Sequence, residues 1–258
     1  MKIAVCVKQV PDMPSKRMNP STKRLDRSGE AGLNAFDANA IEEALRIKER
    51  DGEGEVVLVS LGPERSLESM RRALAMGADR AILVSDEAAE GSDLVATSYL
   101  LATALEREQP DLVLFGQQAS DSDGAVLWAA VAERLRRPLV SQASELTVGD
   151  GKVQVKRQTE FGYDRIEASL PAVVAVSDAI NEPRYPALKG IMAAKSKPQD
   201  VLSLADLGAD AGRAGEAGSR TEVYDLEPPP PRGDSVRIDG DAGAPEKIVD
   251  YLAERKLI

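Results

Sequence analysis

A chain of 258 residues with 43% apolar content can bury a sizeable core, as one large domain or a domain with an appendage, but at 3% aromatic it offers a flavin or nucleic-acid base few rings to stack on. Its 43 Asp and Glu against 33 Lys and Arg leave a net charge of −10, which excludes sequence-independent binding to nucleic acid or anionic lipid. With no histidine and a single cysteine, Cys6, the chain lacks imidazole bases, histidine-activated nucleophiles, the usual zinc sites and any internal disulfide.

The apolar run 2–7 predicts a first buried strand ending in the turn 8–12, with Cys6 a buried and inert thiol. Interrupted by Lys8 and Pro11, the opening segment predicts no signal peptide, and no later run approaches a membrane span; a cytoplasmic protein without membrane insertion is expected. Residues 13–35, with Pro14, Pro20, Gly29 and Gly32, predict a long loop of the kind kept for binding. From Asp37, a candidate N-cap, Ala40, Ile41, Ala44, Leu45 and Ile47 recur at helical spacing, with Glu42, Glu43, Lys48 and Arg50 on the other face. A strand over 55–61, a helix over 64–76 closed by Gly77, a strand over 80–84, a helix over 93–108, a strand over 111–115, a loop over 116–124 and a helix over 125–136 follow.

This alternation predicts an α/β fold, a doubly wound, mostly parallel Rossmann-like sheet with ligands at the carboxyl ends of its strands. After Pro138, the segments 144–148 and 152–158 around Gly149-Asp150-Gly151 predict a hairpin and 171–176 another strand, together an antiparallel extension. Beyond Pro198 the pattern fades into Gly-, Ala- and Asp-rich sequence with prolines at 228–231, then a short helix over 245–255. The expected organisation is a nucleotide-binding domain over 1–197 and an extended C-terminal arm over 198–258 that lies across a partner.

The segment 181–192, Asn-Glu-Pro-Arg-Tyr-Pro-Ala-Leu-Lys-Gly-Ile-Met, holds two prolines that restrict a surface loop. Leu188, Ile191 and Met192 can there present an apolar knob, although the same spacing also fits the core stripe of a helix. Together with Ala193-Ala194-Lys195-Ser196-Lys197, this stretch closely resembles the recognition segment of electron-transfer flavoprotein small (beta) subunits. Residues 5–12 (VCVKQVPD), 34–44 (NAFDANAIEEA) and 72–79 (RALAMGAD) agree with that family in the same order, so the resemblance covers nearly all of 1–197.

The resemblance implies an adenine-nucleotide alpha-hydrolase-like sheet and an electron carrier rather than an enzyme with its own turnover. The carrier would be a heterodimer with an alpha subunit that holds FAD. It would pass electrons from flavin dehydrogenases, such as the acyl-CoA dehydrogenases of fatty acid beta-oxidation, to a membrane electron-transfer flavoprotein-quinone oxidoreductase. The family's nucleotide pocket, occupied by AMP, maps onto Cys6, Asn34, Leu61, Gln118, Asp121, Asp123, Gly124, Ala125, Val126 and Leu127. Where the family carries Gln and Gly after the Asp-rich turn, this chain has Val126 and Trp128, so a second FAD, as in electron-bifurcating relatives, and an empty or rebuilt pocket stay open beside AMP; Asp121 and Asp123 also suit simple loop and capping roles. Met13 and Phe36 map beside the partner's flavin, and Asp164, Tyr185, Leu188, Ile191 and Met192 map to partner contacts, with Asp164 shorter than the family's common Glu.

Two other classes use a similar sheet. An adenine-nucleotide sensor of the universal-stress type would need neither 181–192 nor the arm. An adenylate-forming or hydrolytic enzyme would want a Gly-rich loop after the first strand, and 8–13 contains no glycine.

Overall fold

The computed structural model describes residues 1–12, 18–231 and 235–258. Five parallel strands are buried along nearly their whole length: β1 (Lys2–Cys6), β2 (Glu55–Leu61), β3 (Arg80–Val84), β4 (Leu112–Gly116) and, later in the chain, β8 (Ala172–Val176). Such uninterrupted apolar runs are what a sheet covered on both faces demands. Helices α1 (Ala35–Asp51) and α2 (Leu67–Met76) cover one face, setting Ile41, Leu45 and Leu74 against Ile3, Val5 and Leu58. On the other, α3 (Leu94–Glu108) and α4 (Leu127–Leu135) set Leu100, Leu105 and Val131 against Val57, Val59 and Val113.

Three strands, β5 (Leu139–Gly149), β6 (Lys152–Thr159) and β7 (Gly162–Ser169), form the antiparallel extension, and β9 (Gln199–Leu202) closes the opposite edge. The nine-stranded order is β7-β6-β5-β8-β4-β1-β2-β3-β9. β1 lies between β2, which follows it in the chain, and β4, the strand reached after the chain has turned back; the order reverses there, and at such a switch point open α/β sheets hold their ligands, in the crevice outside the carboxyl ends of the strands, here those of β1 and β4. Among the described residues, no helix is long and apolar enough to cross a membrane.

Several sequence expectations change. β7 completes a three-stranded meander where a single hairpin is predicted: Ile166 and Ala168 pack inward while Tyr163, Asp164, Arg165 and Glu167 face out, so too few apolar residues alternate to announce a strand. The compact unit runs to Val223 rather than to 197, because β9 pairs in parallel with β3 and the next segment returns to the α3 face, where Leu204 and Ala214 are buried. α4 begins at Leu127 rather than at 125, since Asp123 and Ala125 take left-handed backbone angles, φ +49° and +45°, that no helix can include. Part of 13–35 is ordered into ribbons, Gln9–Pro11 with Ala31–Leu33 and Met18–Asn19 with Arg24–Leu25.

The second unit, Tyr224–Ile258, carries a helix, Ala244–Glu254, with Pro245 in its first turn, where a missing N–H is tolerated. Lys247 pairs with Asp241 at 2.9 Å, the Arg255 guanidinium lies 4.4 Å from the centre of the Tyr251 ring, and Ile248 and Val249 are exposed.

If 199–223 belong to the core unit, truncation after Val223 should leave its melting temperature unchanged. Truncation after Lys197 should lower it by about 10 °C, because the β3 edge and the pocket filled by Leu204 and Ala214 are uncovered. Equal melting temperatures for the two truncations would contradict this division.

Candidate functional site

Three elements meet at the crevice through one buried junction. Asn34 occupies the N-cap position of α1, where Asp37 is predicted; its carbonyl accepts from the N–H groups of Asp37 and Ala38, each at 3.1 Å, and its own N–H donates to the Lys8 carbonyl at 3.0 Å. Its side chain does not cap its own helix. Instead Nδ2 donates to the Gln118 carbonyl at 2.8 Å and Oδ1 accepts from the Ser120 N–H at 3.2 Å, which pins the loop after β4 to the start of α1.

Asp37, in the first turn of α1, is buried, and its Oδ2 accepts from the Lys8 N–H at 2.7 Å. Gly116 ends β4 beneath it, where a Cβ would stand 2.5 Å from Asp37 Oδ1 and 2.5 Å from the Phe36 carbonyl carbon. Only glycine permits that approach. Burial pushes the Asp37 carboxyl up to about 7 against the pull of the Asn34 side chain and the Lys8 and Gly116 N–H groups. Burial, and then the nearby Asp37 charge, also push the Cys6 thiol up, so it stays protonated and unreactive.

The loop between β4 and α4 is closed by a second junction. The buried Asp121 carboxylate accepts from Lys8 Nζ on Oδ1 at 2.7 Å and from Arg27 Nε on Oδ2 at 2.8 Å, and Arg65 in turn donates to the Arg27 carbonyl at 2.6 Å. Burial alone would raise the Asp121 pKa, but the two cations outweigh it and hold it below its ordinary value. Trp128 fastens the far side by donating from Nε1 to the Gln117 carbonyl at 3.0 Å. α4 then opens on Val126, whose side chain cannot cap it, so a helix N-terminus follows the turn 123–125 uncapped by any side chain.

The fold thus brings Cys6, Asn34, Leu61, Gln118, Asp121, Asp123, Gly124, Ala125, Val126 and Leu127 to the carboxyl ends of the adjacent strands β1, β2 and β4 and the loops that leave them. Phe36 lies half-buried beside Gly116; Met13 lies outside the described residues. Sequence reasoning missed Lys8 and Arg27 because they act on a residue 113 and 94 positions away, and no local pattern marks them. Among the described residues no cluster of three potential metal ligands occurs.

The segment 181–197 crosses the α1 and α2 side of the sheet. In it Tyr185 is 88% exposed, Leu188 74% and Met192 68%, with Ile191 half exposed, all on or beside the short helix α5 (Leu188–Ala194). That exposure rules out the core-stripe reading of their spacing. Asp164 is separate, exposed on β7 opposite Arg157 in the ladder.

The Electron transfer flavoprotein domain family matches residues 22–207. The chain is 40% identical over 265 aligned residues to the electron transfer flavoprotein subunit beta of Mycobacterium leprae, covering 99% of each chain, and 36% identical over 263 to that of Megasphaera elsdenii, covering 99% of this chain and 97% of the relative. It is also 39% identical, over 100% of both chains, to the caffeyl-CoA reductase-Etf complex subunit CarD of Acetobacterium woodii.

The Asp37 junction carries a pH signature. Its carboxyl rises from an ordinary 3.8 to about 7 on folding, so the folded chain binds the proton more tightly and the resulting stability is complete below about 3.8 and lost as pH rises through about 7. Relative to Asp37→Asn, the wild-type denaturant midpoint should fall between about pH 4 and pH 7 and level off above that. Parallel pH profiles for the two proteins would refute the assignment.

Proposed function

The chain belongs to the electron transfer flavoprotein family as a beta subunit, and from that premise we propose that it works as half of a heterodimeric electron carrier whose alpha subunit holds the FAD. In this reading electrons arrive from flavin dehydrogenases, acyl-CoA dehydrogenases among them, and leave to a membrane quinone reductase. The observation that carries it is the exposed apolar group Tyr185, Leu188, Ile191 and Met192 on one short surface segment, which a self-sufficient sensor of the universal-stress type would not display. With few aromatic rings of its own, the chain is suited to forming a wall beside a flavin rather than a complete cradle.

For the crevice the occupant proposed is AMP. The uncapped start of α4 offers backbone N–H groups and a favourable dipole to a phosphate, the Asn34 side chain fixes the loop that would cover it, and Lys8 and Arg27 supply positive charge nearby. AMP in this position would be a structural ligand, knitting β1, β4 and α4 together without taking part in electron transfer. The full-length match to a subunit of a caffeyl-CoA reductase-Etf complex favours a second reading, in which the crevice takes FAD and the chain serves inside a reductase complex.

The two readings separate on one measurement. Co-expression with the alpha subunit, denaturation and chromatography of the released nucleotides should yield one FAD and one AMP per heterodimer; two FAD would select the second reading, and a chain that stays monomeric beside the alpha subunit would overturn both. In the heterodimer, Leu188→Ala should slow electron receipt from a reduced acyl-CoA dehydrogenase by about tenfold or more, as the loss of an interface anchor does, with flavin content unchanged. Loss of flavin with normal transfer by the flavin that remains would contradict the docking role.

A further inference from the structure

The exposed apolar group sits on a segment with almost no core of its own. Within α5 only Ala194 is fully buried. What holds the segment is polar and sits at its ends. At its start, Asn181 and Asn39 exchange hydrogen bonds, Asn39 Nδ2 to the Asn181 carbonyl at 2.8 Å and Asn181 Nδ2 to the Asn39 carbonyl at 3.1 Å, and Asn181 Nδ2 also reaches Glu43 at 3.1 Å. At its end, Lys197 Nζ donates to the carbonyls of Leu74 and Ala78 at 2.9 and 2.5 Å, at the close of α2. Between them Gly190 lies so close to α2 that a Cβ would stand 2.3 Å from the Ala75 carbonyl oxygen.

The strongest of these fastenings is Arg184. Its Nε donates to Glu42 Oε2 at 2.7 Å and its NH2 to Glu42 Oε1 at 3.2 Å, while NH1 and NH2 reach the two Glu49 oxygens at 2.5 and 2.9 Å. Its backbone N–H adds a bond to Glu42 Oε2 at 3.2 Å. The Glu42 side chain is only 4% exposed, and Arg46 binds its Oε1 at 2.8 Å. Burial would raise the Glu42 pKa, but the Arg184 and Arg46 hydrogen bonds prevail and keep it ionised. Glu42 and Glu49 stand two turns apart on one stripe of α1, and a planar guanidinium with five donors can span both where an ammonium reaches one. Arg184 lies four residues before Leu188, between the two prolines that limit the segment's freedom.

We infer that Arg184 is a positioning residue for electron transfer: by bridging Glu42 and Glu49 of α1 it fixes the backbone that presents Tyr185, Leu188, Ile191 and Met192, so that the segment is already ordered when a dehydrogenase docks. Binding then need not freeze a loop, which is how preorganisation raises affinity. The inference rests on the docking reading above and adds the residue that makes the surface rigid. The same helix begins with Asn34, Phe36 and Asp37 at the crevice, so the docking segment and the crevice are referred to one strut.

The test uses the co-expressed, flavin-loaded heterodimer with an acyl-CoA dehydrogenase reduced by its acyl-CoA substrate. Arg184→Ala should raise the KM for the heterodimer about tenfold with kcat and FAD content unchanged. Arg184→Lys, which keeps the charge but not the bridge, should also raise it and should melt close to wild type, so it carries the test if Arg184→Ala folds poorly. Amide hydrogen exchange over 185–195 should quicken in both variants, while exchange in β1 and β4 stays as in wild type. A KM within twofold of wild type for both Arg184 variants, or a fall in kcat at constant KM, overturns the inference. Leu188→Ala with unchanged KM would instead remove the docking reading itself, and a raised KM for Leu188→Ala beside normal Arg184 variants would remove only the role of Arg184.

Discussion

The close approach of Gly116 to Asp37 is the constraint on which the rest of the molecule turns. The buried carboxylate draws in the backbone of Lys8 at the end of β1, and the missing side chain at the end of β4 lets α1 settle against the strand. With those three elements locked, Asn34 is delivered across the gap to the Gln118 carbonyl, and the loop after β4 has somewhere to be tied. A carboxylate kept from water is unfavourable by itself; its retention here is tolerable because several donors converge on it, and it yields a uniquely defined crevice mouth.

Charge pairs divide the chain's surface work in two. Around the crevice, Lys8 and Arg27 share one carboxylate, Asp121, so the loop is shut by electrostatics rather than by apolar packing. On the opposite part of α1, one guanidinium shares two carboxylates, Glu42 and Glu49. Exposed pairs contribute little each, but both clusters contain a carboxylate almost wholly removed from solvent, where breaking the pair leaves a charge with nothing to answer it.

The parallel core was legible because β1, β2, β3 and β4 are short, β-branched, unbroken apolar runs and their helices repeat at the right spacing; β8 was legible as a buried strand but was expected in the antiparallel extension, whereas it pairs in parallel with β4, since an apolar run carries no sign of its direction. β7 and β9 were not, since edge strands bury one face or less and their residues alternate poorly; Asp200 and Val201 are both exposed. The crevice was legible as a place, from the loops a parallel sheet must present at its carboxyl edge, but its chemistry was not. Lys8 with Asp121 and Arg184 with Glu42 are joined across 113 and 142 residues, and the only local hint is an arginine caught between prolines. Asp37 misled for the opposite reason: it looks like a helix cap, while the capping position belongs to Asn34, three residues earlier.

The last strand of the sheet has a consequence for how such a chain must be made. Among the described residues β7 is paired on one side only, and at the turn leading into it Phe161 is 98% exposed with Tyr163 just beyond. A row of free N–H and C=O groups beside bare rings invites strand addition by any neighbour, including a second copy. Asp164, Arg165 and Glu167 along the same strand are the safeguard, since stacking like charges in register is unfavourable. Overproduction of the chain alone would tax its solubility before its stability.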